Sequence, residues 1–497
     1  MSDGLADVIE RHAKGRGGDI ALHFEGESSS YRQLWRCIES ATHTLKQAGV
    51  QPGDRVACFS LNHPGVLVLL FALARLGAIF LPLNYRLAAA ELAAVLSHAD
   101  ASLIVADSIH PRLAGELAAG KGMAVLPLDG LIPAGDENSA PSVNHGTADT
   151  PVLLVYTSGT TGQPKGVLHT QAGLLANCVM SVAAHQFTPQ DHVLTVLPLF
   201  HVGGLCIQTL PALYVGARVT LHPRFDAARW LVDVVRLRPT TTLMVPATMR
   251  AVVDHPDFVH TDLSSLQQLS AGSSAIPEAL INAFHQRGIP VCQVYGATET
   301  GPVSIYLPRA DALAHAGSAG RAATGVEVRL LDLSGDDVGA NVVGEICLRA
   351  PNLMNGYWRD PDNPAFRDGW FHSGDLGLCD VEGFYHVVGR SKDMIISGGE
   401  NVYPAEIETI LAQCPWIAEA CVVGLPDEKW GEVVVAVIVK KPDSSQGTSD
   451  AMALFDRRLA RFKQPRRVVF CDNLPKTALG KVQKLQLIAQ VKRLLDA

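Results

Sequence analysis

Short apolar runs alternate with longer segments of helical periodicity along most of the chain. The runs predict β-strands near residues 55–60, 102–105, 152–156, 193–198, 218–221, 241–245 and 291–295. Between them, apolar positions recur at helical spacing, which predicts helices near residues 31–48, 64–76, 88–97, 227–237 and 277–287. Strands that alternate with helices form parallel sheets covered on both faces. The pattern therefore predicts an α/β fold.

The pattern changes twice in the last third of the chain. After Gly317, short strands near residues 327–332, 344–349 and 383–388 predict a small β-barrel-like region that closes the large domain. Past residue 391, a helix at 404–413, strands at 418–424 and 433–440, a loop at 441–450 and a basic tail predict a small α+β domain. We expect an N-terminal domain of residues 1–391 and a C-terminal domain of residues 392–497.

Composition and charge exclude several classes of protein. The most apolar stretch, residues 66–83, is interrupted by Arg75 and Gly77, so it predicts a buried helix and strand rather than a membrane span. A net charge of −8 lacks the basic excess of a nucleic-acid binder. The N-terminus shows no signal-peptide pattern, and the ten cysteines show no disulfide or metal spacing. We expect buried thiols in the reducing cytoplasm.

The strongest chemical signal is the segment YTSGTTGQPKG at residues 156–166. It follows an apolar strand, and its backbone N–H groups and hydroxyls can surround phosphates, with Lys165 supplying a cation. It is not a Walker A loop, because the lysine follows Pro164 and no Ser or Thr follows the lysine. The predicted phosphate-binding residues are Thr157, Ser158, Gly159, Thr160, Thr161, Gly162 and Lys165.

This loop resembles the phosphate-binding signature of the adenylate-forming superfamily, which contains acyl-CoA synthetases, peptide-synthetase adenylation domains and luciferases. Further segments resemble that family's motifs in the expected order, at residues 295–300 (YGATET), 373–377 (SGDLG), 389–404 (GRSKDMIISGGENVYP) and 475–481 (PKTALGK). The resemblance covers almost the entire chain and implies the use of ATP, Mg²⁺ and coenzyme A. It also implies that the C-terminal domain is mobile.

The resemblance assigns roles to individual residues. Those near the nucleotide are Tyr295 against adenine, Gly296, Ala297, Thr298 at the α-phosphate, Asp375 at the ribose, Arg390 and the catalytic Lys481. Glu299 is implied as the Mg²⁺ ligand, which suits a cation that prefers oxygen atoms. Lys392 is implied as the hinge. The implied coenzyme A tunnel residues are Gly398, Gly399, Asn401 and Trp430.

A second segment, LPLFHVGG at residues 197–204, resembles the family segment that leads into the acid-binding helix. Within it, His201 is expected to contact the substrate carboxylate or to gate the pocket. The candidate pocket walls are all apolar: Met180, Leu197, Val202, Met244, Ala271, Val294 and Pro302. Such walls favour an aromatic or alkyl acid over a dicarboxylate or an amino acid, whose extra charge would be buried without a partner.

We therefore predict an ATP-dependent acyl-CoA synthetase that acts on an apolar monocarboxylic acid, aromatic or fatty, with no nucleic-acid partner and no integral membrane association. One alternative is an adenylation domain that charges a carrier protein, although residues 201–204 lack the acidic residue that pairs an amino group. Others are a luciferase-like oxygenase and a non-catalytic nucleotide- or acyl-binding module. The oligomeric state stays open, a homodimer included.

Overall fold

A computed structural model describes residues 4–132, 145–157, 165–360, 363–397, 400–427, 430–456, 458–461, 463–477 and 480–496. Its first part consists of two sheets and the helices that pack on them. The strands are β1 (Ile20–Phe24), β2 (Glu27–Ser30), β3 (Arg55–Phe59), β4 (Ile79–Pro82), β5 (Leu103–Ala106), β6 (Ala124–Pro127), β7 (Pro151–Thr157), β8 (Lys165–Thr170), β9 (His192–Thr195), β10 (Arg218–Leu221), β11 (Thr241–Met244), β12 (Gln268–Gly272), β13 (Val291–Tyr295), β14 (Ile305–Tyr306) and β15 (Arg321–Ala322). The helices are α1 (Asp7–Arg16), α2 (Tyr31–Gln47), α3 (Pro64–Leu76), α4 (Ala89–Ala99), α5 (Pro111–Ala119), α6 (Gln171–His185), α7 (Val202–Gly204), α8 (Leu210–Val215), α9 (Ala227–Leu237), α10 (Pro246–Val253) and α11 (Glu278–His285).

Both sheets are mainly parallel, as the alternation of strands and helices predicts. One has six strands in the order β6-β5-β3-β4-β7-β8, and the other has nine in the order β15-β14-β13-β12-β11-β9-β10-β1-β2. Antiparallel strands occur only toward the edges of the described sheets, where β8, β2, β14 and β15 pair with their neighbours. Ligands of parallel sheets bind beyond the carboxyl ends of the strands. The loops after β7, β9 and β13 are therefore placed for function.

The apolar stretch at residues 66–83 forms α3 and β4, as predicted. Every residue of α3 from Gly65 to Leu76 is buried. The core that includes α3 also contains Val56 and Phe80 of the six-stranded sheet and Val219 of the nine-stranded sheet. The helix ends at Gly77, whose φ of 71° favours glycine. This helix therefore joins the two sheets into one N-terminal core.

The rest of the chain forms two smaller antiparallel-rich sheets. The predicted barrel-like region is a five-stranded sheet of β16 (Glu327–Leu331), β17 (Gly344–Arg349), β18 (Phe366–Arg367), β19 (Trp370–Cys379) and β20 (Tyr385–Arg390). The C-terminal domain contains β21 (Ile395–Ser397), β22 (Glu400–Val402), β23 (Ile417–Asp427), β24 (Gly431–Lys440) and β25 (Arg467–Phe470), with α12 (Pro404–Ala412), α13 (Thr448–Ala453) and α14 (Lys484–Asp496).

The loop predicted at residues 441–450 is wrong at its C-terminal end, because α13 begins at Thr448. The Asp450 carboxylate accepts a hydrogen bond from the Gly447 N–H at 2.7 Å and caps the helix. All ten cysteines are free thiols. Within the described ranges, no helix is both long enough and apolar enough to cross a membrane.

Gly320, directly before β15, provides a test of how closely this edge of the nine-stranded sheet is packed against β14. Its φ is +98°, and a Cβ atom there would lie 2.0 Å from the Tyr306 carbonyl oxygen. Gly325 has a similar φ of +84° but no atom within 4 Å of its Cβ position. We expect Gly320→Ala to lower the free energy of unfolding by at least about 2 kcal/mol more than Gly325→Ala, which meets backbone strain alone. Denaturant titration measures both, and equal losses would contradict the close contact.

Candidate active site

The predicted phosphate loop joins two antiparallel strands. Thr157 ends β7 and lies opposite Lys165, which begins β8. The loop residues Ser158, Gly159, Thr160, Thr161 and Gly162 lie outside the described residues. Because Lys165 opens a strand rather than a helix, the surroundings agree with the sequence argument against a Walker A loop.

Tyr357 connects Lys165 to Glu299. The Lys165 ammonium lies 4.9 Å from the centre of the Tyr357 ring, a cation–π distance, and 4.0 Å from the Asp360 carboxylate. The Tyr357 hydroxyl donates a hydrogen bond to the Glu299 carboxylate at 3.0 Å. Burial is the main reason why the pKa of Tyr357 is raised, so the phenol stays protonated. Tyr357 therefore positions the predicted Mg²⁺ ligand and a predicted phosphate-binding lysine together.

The segment after β13 folds back sharply. A Cβ atom at Gly296 would lie 1.9 Å from the Pro302 carbonyl oxygen, so only glycine fits there. The intervening residues form a short 3₁₀-helix, Thr298–Thr300, and the Ala297 N–H donates to the Thr300 hydroxyl at 2.8 Å. This return presents Glu299 toward Tyr357, while the Thr298 side chain is buried.

Buried His169 supports this 3₁₀-helix from β8. Its Nε2–H donates to the Thr298 carbonyl at 2.8 Å, and its Nδ1 has no hydrogen-bond partner among the described residues. Burial lowers the pKa of His169 to about 4, so the ring is neutral at physiological pH. His169 thus fixes the position of the Thr298 backbone without adding charge beside the predicted phosphate site.

The predicted ribose-binding residues form a hydrogen-bonded group. Asp375 and Arg390 lie directly opposite each other on β19 and β20, and Arg390 Nε lies 2.7 Å from the Asp375 carboxylate. The Tyr295 hydroxyl donates to the other Asp375 oxygen at 2.9 Å. The Tyr295 ring packs against the apolar cluster that contains Leu330. These contacts fix a buried carboxylate in one orientation.

The C-terminal domain brings Lys481 to this ion pair. The Thr477 N–H donates to the Lys481 carbonyl at 2.7 Å, and the Gly480 Cβ position would lie 3.3 Å from Ala247 at the start of α10. Burial among neighbouring groups is the main cause that lowers the pKa of the Lys481 ammonium; Arg390 acts in the same direction and Asp375 opposes it. The residue as a whole nevertheless remains in contact with solvent. Lys481 therefore faces the predicted ribose site.

The residues predicted for coenzyme A and for the hinge lie in or next to the C-terminal domain. Lys392 is exposed in a short 3₁₀-helix, Ser391–Asp393, and Asn401 is exposed on β22. Trp430 is partly buried, with the Arg466 guanidinium carbon 4.0 Å from its ring centre. Gly398 and Gly399 lie outside the described residues.

Strand alternation divides the predicted acyl-pocket walls between two faces of the nine-stranded sheet. Met180, Leu197 and Val294 share one apolar cluster, which also contains Leu243 and Val245. In contrast, Met244 and Ala271 belong to the cluster beneath α9, α10 and α11. Adjacent residues of a strand point to opposite faces, which separates Met244 from Leu243. Val202 packs in the core around α3, and Pro302 is buried at the return below Gly296.

His201 begins α7. Its Nδ1 accepts a hydrogen bond from the Gly203 N–H at 3.0 Å, so a neutral ring carries its proton on Nε2. Burial lowers the pKa of His201 to about 4. The side chain can therefore donate a hydrogen bond to a carboxylate at neutral pH without bearing a charge.

Comparison with known proteins agrees with these motifs. The profile described as AMP-binding enzyme matches residues 9–358, and the profile described as AMP-binding enzyme C-terminal domain matches residues 406–481. The chain belongs to the AMP-binding enzymes. An indoleacetate–CoA ligase from Aromatoleum aromaticum is 44% identical over 506 residues, or 98% of each chain. A feruloyl-CoA synthase from an Amycolatopsis species is 40% identical over 485 residues, or 97% of this chain and 98% of the relative.

The fold also matches a solved structure. ATP-bound MatB from Rhodopseudomonas palustris superposes with a TM-score of 0.91 at 31% identity, covering 98% of this chain and 99% of that chain. The large sheet-rich domain and the smaller C-terminal domain of this AMP-binding enzyme are therefore those of adenylate-forming enzymes.

The buried His169 makes the stability of this AMP-binding enzyme depend on pH. Its pKa is about 4 in the folded protein and about 6.5 when unfolded, so the unfolded state takes up the proton first as pH falls. This contribution to the free energy of unfolding is complete well above pH 6.5 and is lost as pH falls toward 4. The loss is about 2 kcal/mol at pH 5. His169→Gln, which can still donate to Thr298, should weaken this dependence in unfolding titrations at pH 7 and pH 5. The exposed His43→Gln is the control; pH profiles parallel to wild type for both variants would contradict the assignment.

Proposed function

We propose that the protein is an ATP-dependent acyl-CoA ligase for an apolar aromatic monocarboxylic acid. In the first step, a carboxylate oxygen of the acid attacks the α-phosphorus of ATP, and the bond to pyrophosphate breaks. In the second step, the sulfur of coenzyme A attacks the acyl carbonyl, and the bond to AMP breaks, giving the thioester. The thiol proton leaves with solvent, since a thiol with a pKa near 8.5 supplies thiolate at neutral pH.

The observation that carries this proposal is the convergence of Lys481 with Asp375 and Arg390. The carboxylate of Asp375 can accept hydrogen bonds from ribose hydroxyls, while a lysine next to it can stabilise the charge that develops on the α-phosphate. The two groups come from different domains, yet the charges of Asp375 and Arg390 act on the ammonium of Lys481. Such an arrangement suits adenylate formation.

The site also fits a magnesium ion bound with ATP. Mg²⁺ takes oxygen ligands, keeps several waters and needs only one or two protein carboxylates, and it supplies charge neutralisation for the leaving pyrophosphate. Glu299 supplies such a carboxylate. Tyr357 orients one of its oxygens. Lys165 and the backbone of the loop that follows Thr157 are proposed to bind the phosphates.

The names of the most similar relatives support an aromatic acid, and the apolar walls are compatible with one. The relatives with 44% and 40% identity are named for indoleacetate and feruloyl substrates, whereas a relative named a long-chain fatty acid ligase is 34% identical. The cluster of Met180, Leu197 and Val294 supplies apolar walls. A neutral His201 can hydrogen-bond the acid without adding a charge to them.

We further propose that residues 392–497 rotate about Lys392 between the two steps. The exposed position of Lys392 next to Arg390 suits a hinge, and the Lys484–Asp393 ion pair at 3.4 Å joins the segment after the hinge to α14. Rotation would withdraw Lys481 and bring Asn401 and Trp430 toward the acyl group. The free state of the cysteines supports a cytoplasmic location.

The proposal is tested by AMP release with ATP, Mg²⁺ and coenzyme A. The panel contains indole-3-acetate, hydroxycinnamates, benzoates and C4–C16 fatty acids. We expect an aromatic acid to give the highest kcat/KM, with equal consumption of coenzyme A. A preference for fatty acids would overturn the aromatic assignment. AMP release without consumption of coenzyme A, or no AMP release with any acid, would overturn the ligase itself.

Lys481→Ala should slow adenylate formation by at least about 100-fold, because one charge stabiliser of the transition state is lost. Thioester formation from preformed acyl-AMP should change much less. Pyrophosphate exchange and single-turnover thioesterification measure the two steps separately. Lys492→Ala on the exposed surface of α14 is the matched control. An equal loss in both steps would contradict the role of Lys481.

A further inference from the structure

A buried polar layer crosses the sheet below the apolar walls of the acyl pocket. We call this layer the polar floor; its residues are Gln208, Thr241, Ser270, Gln268, Tyr306 and His185, all buried. Gln208 lies in a π-helical turn, Leu205–Thr209, between α7 and α8. Such turns are rare and are frequent at functional sites. Ser270 of the polar floor lies between Leu243 and Cys292, which belong to the apolar cluster that also contains Val294.

Strand register places this layer at a defined depth. Leu243, Ser270 and Cys292 lie side by side on β11, β12 and β13, and Val294 lies opposite Gly272, two residues nearer the carboxyl ends. Leu243, Cys292 and Val294 belong to the same apolar cluster, so Ser270 shares their face. Two residues of a strand span about 6.6 Å. An aromatic ring that enters past Val294 would therefore place its far end at the level of Ser270.

The side-chain amide of Gln208 leaves its oxygen without a partner at this level. Its Nε2 donates to the Ser270 hydroxyl at 3.0 Å and to the Thr241 hydroxyl at 3.2 Å. In the same layer, the Tyr306 hydroxyl donates to the Gln268 side-chain oxygen at 3.4 Å. The Gln208 amide is therefore oriented with Nε2 toward the Ser270 and Thr241 hydroxyls, and Oε1 points away from them.

Both unpaired atoms in the described polar floor are acceptors. They are Gln208 Oε1 and His185 Nε2. His185 Nε2 carries no hydrogen, because Nδ1–H of the same ring donates to the Ser181 carbonyl at 2.9 Å and burial keeps the ring neutral. A buried acceptor without a donor is unfavourable. The polar floor therefore favours a bound group that brings a donor.

We propose that Gln208 Oε1 accepts a hydrogen bond from the far end of the acid. Resting on the proposed ligase function, this inference narrows the substrate class to aromatic acids that carry an N–H or O–H group opposite the carboxylate side chain. An acid without that donor, or an alkyl chain of the same length, would bury Oε1 unpaired. Discrimination of this kind is strong, because a site built for a hydrogen bond rejects the analogue that lacks it.

The test compares near-isosteric acids that differ in the donor alone. The pairs are 5-hydroxyindole-3-acetate with 5-methylindole-3-acetate, and 4-hydroxycinnamate with 4-methylcinnamate. For the ring system with the higher kcat/KM, we expect the wild type to prefer the donor-bearing acid by at least about tenfold. In Gln208→Met, which keeps the volume and removes the acceptor, this ratio should fall below about threefold. Gln286→Met, the same change at an exposed position, should keep the wild-type ratio.

The results that would overturn this inference differ from those that would overturn the ligase function. A wild-type ratio near one, a preference for the acid without the donor, or an unchanged ratio in Gln208→Met would overturn the inference while acyl-CoA still forms. Absence of AMP release with every acid would instead overturn the ligase function. Thermal unfolding checks for misfolding, because Gln208→Met also removes the two hydrogen bonds that Nε2 donates to Ser270 and Thr241. If Gln208→Met has a much lower Tm than the wild type, the inference is judged from the wild-type kcat/KM ratios of the two pairs of acids alone.

Discussion

The buried carboxylate of Asp375 is the interaction on which the site depends. A charge that is only 7% exposed must be paired, and Asp375 obtains its partners Arg390 and Tyr295 from two different sheets. Arg390 lies opposite it in the same sheet, Tyr295 reaches it from the nine-stranded sheet, and Lys481 approaches it from the C-terminal domain. One desolvated acid therefore sets the relative positions of the elements that would bind ATP.

The two faces of the nine-stranded sheet carry separate apolar clusters, one of which is the proposed acyl pocket. One face packs against α9, α10 and α11 through Met244 and Ala271. On the other face, Met180 and Val294 form apolar walls, and the hydrogen bonds of Gln208 form their base. Because alternate residues of the same strands serve both faces, a substitution for recognition at one position leaves the packing of its neighbour in place.

Local pattern predicted much of the fold. The bounds of α3, α9 and β10 agree with the predicted ranges, since Gly, Pro or Asp lies at or within two residues of both ends of each element. Patterns of this kind carry no information on distant pairs. Tyr357 meets Glu299 across 58 residues and His169 meets Thr298 across 129, and neither contact has a local signal. The motifs supplied the acids and lysines of the site, whereas the groups that orient them required the fold.

The pocket shows the same limit. Met244 and Leu243 are equally apolar in the sequence, and only the sheet decides which of them lies on the face of the proposed acyl pocket. The sequence pattern does not predict that Gln208 is buried, because a glutamine in an apolar helix usually marks a solvated position. Its burial follows from the Thr241 and Ser270 hydroxyls on the adjacent strands, which a single-sequence pattern does not connect.

The complete burial of α3 has a consequence for folding. A helix with no solvated face has no stable position until both sheets are in place, so neither sheet forms a finished core by itself. The N-terminal domain should then melt as one cooperative unit despite its length. The C-terminal domain has separate apolar clusters around Ile407 and Val435 and can lose its structure independently. The part that carries Lys481 can thus come apart while the nucleotide-binding half stays folded.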